Sequence, residues 1–186
     1  MVTLHLVRHA RSAQDPVSPS WAWPLAAGSE AGAARLRESG VLPTGALWVS
    51  STETKAVSTA RLLTSTPICL DDAFREALRD AGWLGTHEFH RAVLRSFAHP
   101  DRPARAGWEP LAVTRDRVLG AARAVLVEAG DREVVLVGHG AAWTMLVSTL
   151  TGEPPDVAAW KSMHMPDHCA LAWSGRITSP WGSWRA

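Results

Sequence analysis

The chain has 186 residues, of which 46% are hydrophobic and 20% charged, a composition that suits one folded domain with a sizeable core. Its 19 lysines and arginines offset 18 aspartates and glutamates, and this formal net charge of +1 predicts no binding to nucleic acid or to an anionic membrane. No apolar run approaches the roughly 18 residues that span a bilayer, and residues 1–7 lack the length and basic lead of a signal peptide. Cys69 and Cys169 have no paired spacing, which predicts two reduced, buried thiols in a cytoplasmic protein.

Predicted strands and helices alternate along the chain. Residues 3–7 predict a buried strand, and residues 13–24, rich in proline and serine, predict a loop. The later elements are a helix over 29–39, a strand over 46–50, a helix over 52–64, a short strand around 68–70, a helix over 109–129 with Pro110 in its first turn, a strand over 133–137, a helix over 141–150 and a strand over 169–173. This alternation predicts a single α/β domain over residues 1–186, a three-layer sandwich whose mainly parallel sheet is flanked by helices.

Residues 71–108 interrupt the alternation. They are rich in arginine, histidine and tryptophan and contain proline and glycine breaks, which predicts a helical excursion at the carboxyl edge of the sheet. Four tryptophans in and near this region are candidates to stack on a substrate, although core packing or loop anchoring is the preferred interpretation. They are Trp21, Trp23, Trp83 and Trp108.

Two histidines occupy matching positions in the predicted sheet. His9 follows the first strand, and His139 follows the strand over 133–137. Because the carboxyl ends of parallel strands meet at one edge, the two imidazoles are expected to face one small volume if their strands are neighbours. Arg8 precedes His9, and Lys55 opens the helix after the second strand at the same edge. Two cations, two imidazoles and the nearby helix N-termini predict a pocket for a tetrahedral anion.

The order of the motifs resembles that of the histidine phosphatases, also called the phosphoglycerate mutase-like superfamily. That family shows Arg-His-Gly after a strand, Pro-Leu with Gly, Ser-Ser-Pro with a later Arg and Thr-Ala, Gly-Glu-Ser with an Arg eight residues after the Glu, and a strand ending in His-Gly. The matching stretches, in the same order, are Arg8-His9-Ala10-Arg11-Ser12, residues 24–28, Ser50-Ser51-Thr52 with Lys55 and Thr59-Ala60, Gly107-Trp108-Glu109-Pro110 with Arg117, and Gly138-His139-Gly140. The match runs over nearly the whole chain.

The resemblance implies a phosphomonoesterase that forms a phosphohistidine on His9. A neutral His9, whose far ring nitrogen is bound to a backbone carbonyl, would attack phosphorus. Arg8, Lys55 and His139 would spread over the non-bridging oxygens, where charge is held through the transition state. The resemblance also assigns Arg11 and Ser12, with Lys55, to substrate binding. It implies a small phosphorylated substrate and no metal or organic cofactor.

The mechanism also needs a carboxylic acid that protonates the leaving alkoxide and later activates water. The family places this glutamate shortly before a Gly-x-Trp-x-Gly-like stretch. Glu76, ahead of residues 82–85, is therefore the candidate, and Asp80 and Glu88 are the alternatives.

Three departures from the family pattern affect the predicted site. Ala10 replaces a glycine, which is mild if φ there is negative. Trp108 and Pro110 alter the Gly-Glu-Ser stretch and its usual substrate contacts. Lys55 replaces a phosphate-binding arginine and so lacks the planar fork that grips two oxygens. Arg61 is no substitute, because it lies nearly two turns further along the helix and on a different side.

The alternatives to a phosphomonoesterase are a phosphoglycerate mutase-like phosphoryl transferase, a protein phosphohistidine phosphatase and, because of Lys55, a catalytically weak phospholigand-binding protein. The chain looks short for a mutase, and protein phosphohistidine phosphatases resemble shorter chains with little excursion. Four histidines suggest metal ligands, but their spacing matches no zinc site, and a surface or substrate-lining role is the preferred interpretation. They are His87, His90, His164 and His168.

Overall fold

The computed structural model describes residues 2–80 and 82–185, which form a six-stranded mixed sheet with helices on both faces. The strands are β1 (Thr3–Arg8), β2 (Leu47–Ser50), β3 (Ile68–Leu70), β4 (Val134–Gly138), β5 (Asp167–Ala172) and β6 (Ile177–Ser179). Their order across the sheet is β3-β2-β4-β1-β5-β6, and the first four are mutually parallel. The mainly parallel sheet predicted from the alternation is therefore confirmed.

Six α-helices lie in the described part of the chain. They are α1 (Ser29–Glu38), α2 (Thr54–Leu63), α3 (Thr86–Ala98), α4 (Leu111–Ala129), α5 (Gly140–Thr151) and α6 (Val157–Ser162). None of the helices within residues 2–80 and 82–185 is long and apolar enough to cross a membrane. Short 3₁₀ helices at Ser20–Ala22, Asp72–Phe74 and Ser183–Arg185 complete the secondary structure.

The two faces of the sheet bury separate apolar clusters. Alternate residues of β1 and β4 face opposite ways, so each strand contributes to both clusters. Leu4, Leu6, Val134 and Leu136 pack against α4 and α5, whereas Val7, Val135 and Val137 pack against α1 and α2. This arrangement gives the three predicted layers.

The excursion at residues 71–108 has a small apolar cluster of its own. Phe97 and Val93 of α3 pack with Trp108 and with Met145 of α5. Asp80 donates its backbone N–H to the Gly107 carbonyl, and Glu109 donates to the Leu78 carbonyl, so two short segments pair as a ribbon. The predicted helical excursion is present, and its ribbon and α3 together stand against the N-terminal half of α5.

Several sequence predictions need correction. Strand β5 runs antiparallel to β1, because the chain returns to the carboxyl edge over residues 152–166, and neither α6 nor β6 was predicted. Pro110 caps α4 rather than lying in its first turn. Cys169 is buried as expected, but Cys69 is exposed on β3, near one edge of the sheet.

Two histidines form a pair inside the sheet, away from His9 and His139. The Nδ1 atom of His5 lies 3.1 Å from Nε2 of His168, and both side chains are buried. Burial and the neighbouring His5 lower the pKa of His168 from 6.5 to about 4, although Asp167 opposes the shift. The folded chain therefore keeps His168 neutral at a pH where the unfolded chain protonates it.

This pair predicts acid sensitivity of the fold. The stability contributed by neutral His168 is complete above pH 6.5 and is lost progressively as pH falls to about 4, a total of about 3 kcal/mol. The His168→Gln variant should therefore show a shallower fall in unfolding free energy over that interval, measured by urea denaturation. The matched control is His99→Gln, since His99 is exposed, and it should follow the wild type. Parallel curves for His168→Gln and wild type would contradict the assignment.

Candidate active site

The register of β1 and β4 brings His9 and His139 together. Arg8 pairs with Gly138 across the two strands, and the backbone N–H of His9 donates to the Gly138 carbonyl at 2.9 Å. The two imidazole ring centroids are 5.2 Å apart. One small volume at the carboxyl edge therefore holds both rings.

Glycines on either side of His139 make room for the close packing. A Cβ atom on Gly138 would lie 2.5 Å from the indole of Trp143, and one on Gly140 would lie 3.3 Å from Nε of Arg8. The indole N–H of Trp143 donates to the Val7 carbonyl at 2.9 Å and so ties α5 to β1. The Gly-His-Gly sequence thus lets a tryptophan and an arginine approach the backbone beside the second histidine.

His9 is held in the tautomer that a nucleophile requires. Its Nδ1 lies 2.7 Å from the Ala10 carbonyl, which only accepts, so Nδ1 carries the hydrogen and Nε2 keeps a lone pair. The side chain is buried, and burial lowers the pKa of His9 well below its ordinary 6.5, with His139 and Lys55 adding to the shift. The ring is therefore neutral at pH 7.

Ala10 fits without backbone strain. No non-glycine residue in the described part of the chain has a positive φ, so alanine at position 10 meets no left-handed penalty. Its N–H donates to the hydroxyl of Thr59 at 2.9 Å, and that hydroxyl donates to the Lys55 carbonyl. The Thr-Ala motif thereby anchors α2 to the His9 loop.

His139 is completely buried, with Nε2 2.9 Å from the hydroxyl of Ser51 and 3.5 Å from Oε1 of Glu53. Its Nδ1 has no partner among the described residues. Burial lowers the pKa of His139 to about 4, against the opposing effect of Glu53. A ring with one nitrogen fixed and the other unpaired is ready to bind a ligand oxygen.

Lys55 lies in the first turn of α2 and is only 5% exposed, so it is not a solvent-facing lysine. Its ammonium donates to the carboxylate of Glu53 and, at 2.6 Å, to the Ser20 carbonyl. Burial raises the pKa of Glu53, but His139 and Lys55 outweigh it and bring the value to about 2. The site therefore contains a buried Lys–Glu ion pair. The sequence had not singled out Glu53 as a residue of the site.

The carboxylate of Glu76 lies at the N-terminus of α5, directly after His139. It accepts hydrogen bonds from the backbone N–H of Ala142 at 3.0 Å and of Ala141 at 3.2 Å. Burial raises the pKa of Glu76, but Arg79, His139 and the Ala77 N–H together bring it below its ordinary value. The two alternative acids, Asp80 and Glu88, are exposed.

Arg117 holds the segment that carries Glu76. Its guanidinium donates to the carbonyls of Ala73 and Arg75 at 2.7 and 3.0 Å, and to the carboxylate of Glu109 at 2.7 Å. Glu109 also accepts from the hydroxyl of Thr114. In this chain, the glutamate of the altered Gly-Glu-Ser stretch and its arginine therefore brace the candidate acid.

Arg79 is a further cation near Glu76 that sequence reasoning missed. Its guanidinium carbon lies 5.2 Å from the ring centres of both Phe89 and Trp108, and its Nη2 is 3.8 Å from the carboxylate of Glu76. Its Nε is buried and has no hydrogen-bond partner in the described chain. Arg8 shares this feature, since its Nη1 donates to the Met163 carbonyl at 2.9 Å while its Nε is unpaired.

Two predicted substrate ligands lie apart from this cluster. Arg11 is exposed, and its guanidinium reaches the Ala27 carbonyl at 3.5 Å. Ser12 pairs through its backbone with Leu25. In the structure, the hydrogen bonds and backbone pairing described for these two residues are with residues 25–29 and not with the histidines.

The tryptophans and the remaining histidines mostly have packing or surface roles. Trp108 is buried, and the indole N–H of Trp23 anchors the preceding loop through the carbonyls of Asp15 and Ser18. Trp21 and Trp83 are exposed, and the rings of Trp23 and Trp83 are 5.9 Å apart. The described residues contain no cluster of three or more histidine, cysteine or acidic side chains that could hold a metal ion. His168 is buried beside His5, whereas His87, His90 and His164 are exposed.

Solved structures with the same fold cover almost the whole chain. Bacillus stearothermophilus YhfR superposes with a TM-score of 0.77 at 21% identity, covering 98% of this chain and 97% of that one. The mycobacterial glucosyl-3-phosphoglycerate phosphatase Rv2419c, in complex with inorganic phosphate, gives 0.74 at 24% identity, covering 100% and 98%. TTHB049 from Thermus thermophilus gives 0.68 at 26% identity, covering 97% and 99%. No curated protein matches the sequence significantly.

The family itself is shown by the sequence match. The profile of the histidine phosphatase superfamily (branch 1) matches residues 4–177, a span that contains every residue of the cluster around His9 and His139. The chain is therefore a member of the histidine phosphatase superfamily.

Proposed function

We propose that this protein is a phosphomonoesterase that works through a phosphohistidine on His9. Family membership makes phosphoryl transfer the class of reaction. The observation that carries the finer proposal is the state of His9, a buried, neutral imidazole whose Nδ1 is fixed by the Ala10 carbonyl. Its neighbours are Arg8 and His139. Among the described residues, Nε of Arg8 and Nδ1 of His139 have no hydrogen-bond partner.

The proposed reaction has two steps. Nε2 of His9 attacks phosphorus, the N–P bond forms, and the bond from phosphorus to the leaving alkoxide breaks as Glu76 donates a proton to that oxygen. Water then gives a proton to Glu76 and attacks phosphorus, which releases inorganic phosphate and free His9. Arg8 and His139 bind the non-bridging oxygens in both steps.

The protonation of Glu76 depends on the phosphoryl group. Arg79 and His139 help to bring the pKa of Glu76 below its ordinary value. A bound phosphoryl dianion offsets the positive charge of Arg79 and adds negative charge beside the carboxylate, so it raises the pKa of Glu76 towards the value that an acid catalyst needs. The acid is thereby prepared when substrate is bound.

Lys55 contributes positive charge to the same pocket, but its carboxylate partner weakens its pull on an anion. Glu53 touches the ammonium and lies 3.5 Å from His139, so a phosphate oxygen near either group also meets a negative charge. This pair is the observation that favours the alternative of a weak, phospholigand-binding protein. Turnover of a generic aryl phosphate separates the two, because a binding protein releases no inorganic phosphate.

The His9→Ala variant should lose phosphatase activity by on the order of 10³-fold or more, because it removes the covalent acceptor. In the wild type, a phosphorylated substrate should label His9 with an acid-labile phosphoryl group before product appears. The control is His99→Ala, an exposed histidine outside the site, which should keep wild-type activity. An active, correctly folded His9→Ala protein would refute the mechanism.

Hydrolysis should resist chelators and be inhibited by vanadate. The donors around His9 are imidazoles and cations, which suit an oxyanion, and vanadate adopts the five-coordinate geometry of phosphorus in transfer. Activity is measured as phosphate release after prolonged dialysis against EDTA, with and without vanadate. Loss of activity that a divalent ion restores would point instead to a metal-dependent reaction.

Removing the charge of Glu53 should tighten phosphate binding. The Glu53→Gln variant leaves the ammonium of Lys55 free to meet the anion, and one unit charge beside the site corresponds to roughly tenfold in affinity. The same change should lower the free energy of unfolding in the absence of phosphate, because a buried ammonium loses its partner. Calorimetric titration with phosphate and urea unfolding measure the two effects. The control is Asp116→Asn, at an exposed ion pair. Weaker phosphate binding by Glu53→Gln would contradict the prediction and show that Glu53 positions Lys55 for the anion.

A further inference from the structure

Arg79 is a buried cation whose hydrogen-bonding capacity is almost unused. Its side chain is 16% exposed and lies beside the contact of Phe89 with Trp108, with the guanidinium carbon 5.2 Å from each ring centre and the two ring centres 5.9 Å apart. Its one ion pair among the described residues is the 3.8 Å contact with Glu76, and its Nε has no acceptor. A guanidinium that packs against two rings and has only one long ion-pair contact keeps most of its planar fork available to a ligand.

The ribbon of the excursion fixes where this guanidinium sits. Arg79 forms a bridge with Trp108, and backbone hydrogen bonds on both sides, Glu109 to Leu78 and Asp80 to Gly107, hold the segment in register. Both aromatic rings pack within cation–π distance of the guanidinium and favour this orientation of the side chain. Its position is therefore set before any ligand arrives.

A chain of contacts links Arg79 to the histidines. Nη2 of Arg79 is 3.8 Å from the carboxylate of Glu76, and that carboxylate accepts from Ala141 and Ala142, in the turn that follows His139. Gly140, in the same turn, lies against Nε of Arg8. Burial is the main cause of the lowered pKa values of Arg8 and His139, and the positive charge of Arg79 makes a smaller contribution in the same direction.

The ammonium of Lys55, by contrast, already donates hydrogen bonds within the protein. Its ammonium has two protein acceptors, Glu53 and the Ser20 carbonyl, and one of them carries a full negative charge. Arg79 has a longer and weaker contact with its carboxylate. Of these two cations, Arg79 is therefore the one with donors to spare.

We propose that Arg79 is the second guanidinium of the phosphate site and binds phosphoryl oxygens opposite Arg8. Lys55, which replaces the family's phosphate-binding arginine, fulfils that role only in part. The inference rests on the proposed function for its ligand, a phosphoryl group, and adds a binding residue from the excursion. It follows that the excursion at residues 71–108 contributes to binding of the transferred phosphoryl group itself.

The test is the affinity of the whole protein for inorganic phosphate, measured by calorimetric titration on four proteins. Arg79→Gln should bind phosphate about ten- to a hundredfold more weakly than wild type, because a charge-assisted pair of hydrogen bonds is lost. Arg79→Met, which keeps apolar bulk against the two rings, should show the same loss and serves if the glutamine variant does not fold. Arg105→Gln is the matched control, since Arg105 lies in the same excursion and is paired with the exposed Glu88, and it should bind within about twofold of wild type.

Wild-type affinity in a folded Arg79→Gln or Arg79→Met variant would overturn the inference. A change confined to the pH profile of hydrolysis, with phosphate affinity unchanged, would also overturn it, because Arg79 would then act only through Glu76. An equal loss in Arg105→Gln would show a general effect of charge and contradict a specific contact. If wild type binds phosphate but does not hydrolyse phosphomonoesters, and the Arg79 variants lose that binding, the proposed function fails while the inference holds. If wild type does not bind phosphate at all, both fail.

Discussion

The parallel pairing of β1 with β4 is the contact on which the site depends. Arg8 and Gly138, the last residues of the two strands, are paired, and this places the residues that follow them, His9 and His139, side by side. Both strands are buried on both faces, and a slip of one residue would turn every side chain of a strand to the opposite face. The apolar clusters on either side of the sheet therefore fix the register, and the register fixes the distance between the two imidazoles.

Around this pair, the ionisable groups stabilise one another. Lys55 and Glu53 form a buried ion pair, Glu53 also accepts the backbone N–H of Glu76, and Glu76 in turn binds the first turn of α5. Since isolated buried charges are strongly unfavourable, each of these groups needs the others in place. The result is a rigid arrangement in which α2, α5 and the segment after β3 meet through polar contacts.

Much of the fold followed from the sequence, because apolar runs and helix signals are local. The two histidines and Arg8 could be placed at one edge for the same reason, since each adjoins the end of a predicted strand. Strand β5 was assigned but not its direction, which depends on the path of residues 152–166.

Glu53 and Arg79 were missed for different physical reasons. Glu53 lies two residues before Lys55, so a carboxylate next to the replaced arginine was a signal that a neutralising pair was available. Arg79 gave no such signal. Its position depends on a bridge to Trp108, 29 residues further on, and on a ring contributed by α3. Contacts of that kind arise only when the excursion has folded.

The separate apolar cluster of the excursion has a consequence for the divergence of this protein. Val93, Phe97 and Trp108 pack chiefly with one another and with the outer side of α5, whereas the central clusters of the sheet are filled by other residues. Insertions, deletions and exchanges between residues 82 and 106 therefore leave the register of β1 and β4 untouched. Selection can remodel this segment while the imidazole pair keeps its geometry. A laboratory that wishes to exchange this segment between relatives has natural crossover points in the ribbon at Leu78 and Glu109, where a backbone hydrogen bond closes the segment.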